Sequence, residues 1–258
     1  METTQQVKYL AWDSQFFGFN IGMLKSSSLD SSQWEAAERE SQDLNLTCLY
    51  LLADPANPAA IQMAEQAGFH YMDARLTLEF YPPADFCGFN QIELPNHRTR
   101  TAQMADLPEL KAIARDSHHN TRFYADPNFS LEQCNRLYEV WIENSLTGYA
   151  QQVFVVENNI SKAVEAYISC HIKDRKGEIG LTAVHHSARG QQIGFSLVQK
   201  SLSWFFESGA ETIEVVTQAG SRPAVNLYQK AGFLISDLQL WFHKWFHLPE
   251  SGKRISAE

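Results

Sequence analysis

Basic residues are in short supply. Only 21 Lys and Arg stand against 30 Asp and Glu, a formal charge of −9, and a surface so composed does not displace the counterions of a nucleic-acid duplex. Cysteine is scarce as well. Cys48, Cys87, Cys134 and Cys170 lie far apart with no C-x-x-C pair, which argues against a disulfide framework and a thiolate zinc site. The opening stretch METTQQVKYLAWDSQFFGFN lacks the basic start and continuous apolar core of a signal peptide, and no later run approaches bilayer length. The expectation is a cytoplasmic protein with no nucleic-acid and no membrane partner. What the chain does have is an apolar fraction of 44% over 258 residues, enough for a proper core.

It also repeats itself. LYLLADPANPAAIQMAEQAGFHYMDARLTLEF, from Leu49, lies over IEVVTQAGSRPAVNLYQKAGFLISDLQLWFHK, from Ile213, without a gap. Both read as strand, turn, short helix and strand, with Gly68 and Gly232 suited to the left-handed position that ends a helix. Either two such units are alike by chance, or a domain is duplicated. Under duplication the differences inform: Tyr228 aligns with Ala64, and nothing before Leu49 matches the later ARGQQIG. The first half then reads as a scaffold without chemistry. The expected division is a non-catalytic N-terminal domain at 1–95, a catalytic domain at 96–250 and a polar tail at 251–258. The boundary falls in the proline-interrupted stretch 81–100.

In the second half, TAQMADLPELKAIARDSHHN places Leu107, Leu110, Ile113 and Ala114 at helical spacing, with Asp106 as cap. LEQCNRLYEVWIENSL is a second amphipathic helix, and QVFVV, KAVEAYISCHI and EIGLTAV read as strands. A helix to Ser208, the strand TIEVVT, a helix ending at Ala231 and the strand LQLWFHKWF complete the order.

Between the third strand and its helix lies ARGQQIGFSLVQ, residues 188–199. The first helical turn, Gln191 to Gly194, leaves backbone N–H groups unpaired at the positive end of the helix dipole, a geometry that accepts phosphate oxygens. Gly190 and Gly194 remove side-chain obstacles, and Arg189 can add a charge-assisted contact. Taken alone, such a turn is more often a plain strand–helix connection.

With AVHHSARGQQIG after the third strand and SRPAVNLYQKAGF one strand later, the chain resembles the GCN5-related N-acetyltransferases, the GNAT superfamily. Arg189 and Gly194 match that family's pyrophosphate loop, with Gln192 at its middle glycine. Ala224, Leu227, Tyr228, Gly232 and Phe233 match its downstream helix, with Ser221 where an Asn is common. HNTRFYADPNF, YEVWIENS, LAWDSQFFGFN and TQAGSRPAVNLY further resemble the nucleotide-sugar amine acetyltransferases. The resemblance implies an α/β (α+β) GNAT fold with a central mixed, mostly antiparallel sheet, preceded by a degenerate GNAT-like half. It implies acetyl-CoA as co-substrate and no metal. The acetyl-CoA ligands would be Leu181, Thr182, Ala183, Val184, Arg189, Gly190, Gln191, Gln192, Ile193, Gly194, Ser221 and Tyr228. The acceptor would be the amine of a nucleotide-linked deoxyamino sugar, such as dTDP-4-amino-4,6-dideoxygalactose. A homodimer is left open.

Acetyl transfer from a thioester to an amine needs a neutral amine, a held carbonyl and a proton for the departing thiolate. In the family the tyrosine matching Tyr228 supplies that proton. A phenol with a pKa near 10 is protonated at neutral pH and suits the task, the other reading being an aromatic that only packs. Free strand N–H groups around Leu181 to Val184 can polarise the carbonyl. Glu178 and His171 are candidate proton acceptors from the amine. Arg122 and Tyr124, read on a loop, are candidate substrate ligands: Arg122 bidentate to a phosphate, Tyr124 stacking or hydrogen-bonding. Histidines 118, 119, 185, 186, 243 and 247 leave zinc as a weaker alternative, because the last pair lacks an intervening Glu and falls on a strand. Also open are a GNAT for an amino acid, a polyamine or a protein N-terminus, and a non-catalytic CoA-binding module.

Overall fold

The computed structural model describes residues 5–27, 30–82 and 92–248. Its elements run β1 (Val7–Tyr9), α1 (Ala11–Phe17), β2 (Ile21–Leu24), α2 (Ser31–Asp43), β3 (Cys48–Ala53), α3 (Pro58–Gln66) and β4 (His70–Phe80). The chain continues with β5 (His97–Thr101), α4 (Leu107–Arg115), α5 (Arg122–Ala125), α6 (Leu131–Asn144), β6 (Gln152–Asn158), β7 (Val164–Lys173) and β8 (Lys176–Val184). It closes with α7 (Ile193–Glu207), β9 (Thr212–Gln218), α8 (Arg222–Lys230) and β10 (Leu234–Trp245). These strands form one sheet in the order β1-β2-β3-β10-β4-β9-β8-β7-β6-β5. It is mostly antiparallel, with β2–β3 and β8–β9 parallel.

The sequence repeat holds element by element. The shift of 164 positions that carries Leu49 to Ile213 also carries α3 onto α8 and the start of β4 onto the start of β10. The final strands are exchanged between the two units: β10 lies between β3 and β4, while β4 lies between β10 and β9. At the centre Arg75 stands opposite Gln239, its equivalent under the same shift, and Arg75 Nη1 donates to Gln239 Oε1 at 2.9 Å. Each unit thus completes its sheet with a strand of the other.

Alternation along the strands fills both faces. Val153 and Val155 of β6, with Cys48 and Tyr50 of β3, pack under α1, α4, α5 and α6. On the other face Phe154 and Val156 join α7 and α8, and Leu49 and Leu51 join α2 and α3. A helix layer therefore covers each side, and the two helix layers have different tasks below.

Three local readings need correction. HRTRT, placed in the boundary stretch, is strand β5, and it pairs with β6 at the end of the sheet. It was missed because its side chains are polar. Arg100 holds it, donating to Asp106 at 2.7 and 2.9 Å and to Glu157 at 2.8 Å. Asp106 consequently does not cap α4, since its carboxylate accepts from Arg100 and from the Gln103 N–H at 2.7 Å. Residues 122–125, read as loop, form the single turn α5. Residues 83–91 of the boundary, Cys87 and the 251–258 tail lie outside the described residues. Among the described residues no three His, Cys, Asp or Glu side chains converge to hold a metal, and no helix is long and apolar enough to cross a membrane.

Candidate active site

The site begins where two strands part. The β8–β9 ladder ends at Ile179–Val215, yet β8 stays paired with β7 as far as Val184. One backbone edge of residues 180–184 is therefore left facing a groove. At the parting point Gly180 and Leu181 together oppose the single residue Ser169, a bulge whose Leu181 N–H donates to Ser169 Oγ at 2.8 Å. A Cβ at Gly180 would lie 2.7 Å from His171 Nε2 and 2.8 Å from Ser169 Oγ, so a larger residue in the bulge would displace those side chains.

Two helix N-termini point into this region. Gln192, ahead of α7, has φ 62 and ψ 8 and supplies no side-chain cap, and Gly190 has φ 80. None of the N–H groups from Gly190 to Phe195 has a hydrogen-bond acceptor among the described residues. Ser221, ahead of α8, likewise makes no side-chain cap. Arg189 Nε donates to the Val184 carbonyl at 3.2 Å, which ties the loop to the end of β8. The ensemble presents unsatisfied donors and positive helix ends, the requirements of an anion site. The two glycines differ. A Cβ at Gly190 would meet nothing within 4 Å, whereas one at Gly194 would touch Leu227 at 3.4 Å and Val184 at 3.5 Å. Both positions have room for a Cβ, and Gly194 in addition lies where α7, α8 and β8 meet.

Across the groove from β8 stands Tyr228, 4% exposed. Burial pushes its phenol up to about 12, while the Thr182 hydroxyl beside it acts in the other direction. That approach falls short of a hydrogen bond: Thr182 Oγ1 is buried and has no partner among the described residues. An orphaned hydroxyl, a free strand edge and uncapped helix ends fit a long, polar, phosphate-bearing ligand.

On the opposite face of the sheet are two cavities. The larger, about 1020 Å³, runs from Gly180 and Leu181 past Glu178 and His171 to Trp12 and Trp141. Glu178 is exposed, and His171 Nδ1 donates to the Tyr149 carbonyl at 3.3 Å. The smaller, about 440 Å³, is walled by Asp73, Tyr124 and Gly220. Burial pushes Asp73 up to about 6, against the opposing pull of the Ala74 and Arg122 N–H groups and the Arg122 charge. Tyr124 donates its hydroxyl to Asn135 Oδ1 at 2.8 Å.

Arg122 is not a loop arginine open to solvent. Its guanidinium lies 4.1 Å from the ring centroids of Tyr50 and Trp241 and 4.2 Å from that of Phe123. Nη1 donates to His243 Nε2 at 3.0 Å, and His243 Nδ1 donates to Asp126 Oδ2 at 2.7 Å. Burial brings His243 down to about 4, so it is neutral and can accept from Arg122.

Residues 108–233 match the family model of the GNAT-family acetyltransferases. The chain carries a GNAT acetyltransferase domain. It is 24% identical over 247 residues to the dTDP-fucosamine acetyltransferase of Escherichia coli O6:H1, covering 95% of this chain and 100% of that protein. It is 26% identical over 140 residues to the spore coat polysaccharide biosynthesis protein SpsD of Bacillus subtilis, covering 54% of this chain and 48% of that one. Among solved structures, a GCN5-related N-acetyltransferase from Sphaerobacter thermophilus has a TM-score of 0.65 at 14% identity, over 93% of this chain and 76% of its own. A tandem GNAT protein from the clavulanic acid pathway has a TM-score of 0.56 at 13% identity, over 89% and 76%. These structural likenesses show the fold. The protein is an acetyltransferase, and the acetyl donor of its family is acetyl-CoA.

Two residues that line these cavities escaped the sequence reading. Gly180 stood inside the run EIGLTAV, where a glycine in a strand was itself the signal of a bulge. Asp73 recurs in the repeat as Asp237, but its raised pKa comes from burial under α5, which no local pattern reveals.

Proposed function

We propose that the protein moves the acetyl group of acetyl-CoA to the amine of a nucleotide-linked deoxyamino sugar, dTDP-4-amino-4,6-dideoxygalactose or a close analogue, by direct transfer. The observation that carries this reading is the extent of the match to dTDP-fucosamine acetyltransferase. It spans nearly the whole chain, well beyond residues 108–233 of the family model. The walls of the acceptor-side cavities include Trp12 and Asp73, which that model leaves out. Similarity reaching them bears on the acceptor.

Acetyl-CoA supplies the activated acetyl group as its thioester. Arg189 and the N–H groups from Gly190 to Gly194 hold its pyrophosphate. The free edge of Leu181, Thr182, Ala183 and Val184, with the Thr182 and Ser221 hydroxyls, receives the pantetheine arm. Tyr228, still protonated at neutral pH, donates its proton to the departing sulfur. Asp73, ionised above about pH 6, takes up the proton released by the acceptor ammonium, through water in the smaller cavity. Arg122 steadies that carboxylate from its aromatic box, and Tyr124 walls the same cavity. Glu178 belongs to the larger cavity, on the sugar-nucleotide side. Residues 1–95, expected to be non-catalytic, on this reading bind no acetyl-CoA but lend Asp73 and Trp12 to the acceptor side, and 96–250 hold Tyr228 and the acetyl-CoA groove.

The test is incubation with acetyl-CoA and a panel of dTDP- and UDP-linked amino sugars, with amino acids and polyamines alongside, following free thiol. Release with a sugar nucleotide is the expected result. Release only with a simple amine would replace the substrate, and no release with any acceptor would remove the reading.

A further inference from the structure

We propose that the 1020 Å³ cavity between α1, α6 and the β7–β8 pair is a nucleoside diphosphate subsite, with Trp12 and Trp141 taking the base and Lys173 the diphosphate. This rests on the reading of the acceptor as a nucleotide sugar. The cavity starts at the Gly180–Leu181 bulge, beside the transfer groove, and extends outward to Trp12. Pockets of roughly 300–1,000 Å³ enclose drug-sized ligands. A monosaccharide at the groove would therefore leave most of this space empty, and what the space can hold must be attached to the sugar.

The lining chemistry identifies that attachment. Trp12 remains 41% exposed although its ring is stacked on Phe16, with centroids 5.2 Å apart and planes 8° apart. Trp141 stands 6.2 Å away, tilted by 36°. These are preset aromatic surfaces facing a solvent-filled space, suited to the π-face of a base. Lys173 provides the charge. Its neighbours on the hairpin are neutralised, Arg175 by Glu211 and Lys176 by Glu79 and Glu214. Lys173 has no ion pair among the described residues and lines the cavity. Glu178 is the sole carboxylate of the lining. A polyamine site would invert this balance, whereas a diphosphate needs an unpaired cation.

The test is calorimetric titration of the full chain with dTDP and with UDP at saturating coenzyme A, so that the pyrophosphate loop is already filled. The expected result is binding of a nucleotide in the presence of coenzyme A, weakened tenfold or more in Trp12→Ala and in Lys173→Met, with coenzyme A affinity within twofold of the parent in both. Lys173→Met is on the surface and keeps the fold if Trp12→Ala does not. Kinetically, both variants should raise KM for the sugar nucleotide and leave kcat near the parent value. Nucleotide binding that coenzyme A abolishes, or that neither variant alters, overturns the subsite. The two readings separate cleanly. Acetylation of a sugar nucleotide with KM unmoved by either variant removes the subsite and leaves the function, while variant-sensitive dTDP binding with no acetylation of any sugar nucleotide does the reverse.

Discussion

Residues 30–80 and 192–244 set out a helix, a strand, a helix and a strand in the same order, yet they treat their helix N-termini in opposite ways. At α2, Asp30 accepts from the Gln33 N–H at 2.8 Å, and Gln33 Oε1 accepts from the Asp30 N–H at 3.0 Å. At α3, Asn57 Oδ1 accepts from the Ala60 N–H at 3.1 Å. The corresponding starts of α7 and α8 have no side-chain cap. Where the first unit buries Ala64, the second buries Tyr228. Capping satisfies donors and stabilises a helix, but it also occupies the place an anion would take. On the proposed function, the second unit offers a binding site where the first does not because its caps are left out.

Tyr228→Phe is the sharpest way to erase the difference between the units. The ring and its packing remain, so the melting temperature should hardly move. The lost proton donor should cost about 10²- to 10⁴-fold in kcat, with acetyl-CoA affinity little altered. Single-turnover thiol release measures it, and near-parent rates would return Tyr228 to a packing role.

Asp73 comes next, since on the proposed function it lets the first unit contribute to the second unit's chemistry. The rate kcat/KM should fall as pH drops below about 6, and Asp73→Asn should lose both that limb and most of the activity. The stability effect runs the opposite way. A carboxyl raised from 3.8 to about 6 is held more tightly as the acid in the folded state, so its stabilising contribution is complete below 3.8 and lost as pH rises through 6. Asp73→Asn should therefore raise the melting temperature at pH 7.5 more than at pH 4. Half-burial discounts the gain to about 1 kcal/mol.

Giving α7 an acid like that of α2 should move the second unit toward the first. Gln192→Asp places a carboxylate at the pyrophosphate position and should raise KM for acetyl-CoA about tenfold. The converse change, Asp30→Ala, should lower the melting temperature by about 2–4 °C and leave KM unchanged. A shift of KM in the second variant would break the contrast.

The fold of the second unit was legible because its order of elements, its ARGQQIG loop and its ungapped repeat are local patterns. The exchange of β4 and β10 was not. Each reads correctly as a strand, but a strand's sequence does not name its neighbours, and β10 pairs with β3 and β4 of the other unit. For the same reason Arg122 was misplaced: its aromatic box comes from Tyr50, Phe123 and Trp241, far apart in the chain.

The smallest expected effect concerns Gln192 itself. At φ 62 an L side chain suffers a clash of about 1 kcal/mol that glycine escapes. Glycine also gives the unfolded chain more freedom, which offsets roughly half to all of that gain. Gln192→Gly should consequently change stability by less than about 0.5 kcal/mol in either direction. Its effect on acetyl-CoA should be a modest fall in KM, about two- to threefold, because the loop's N–H groups lose a side chain that must turn aside and keep their left-handed entry. Denaturant melts and initial-rate kinetics on the same preparation decide it. A loss of more than 1 kcal/mol would mean that the Gln192 side chain holds the loop, and the uncapped start of α7 would then owe its geometry to that contact rather than to the backbone.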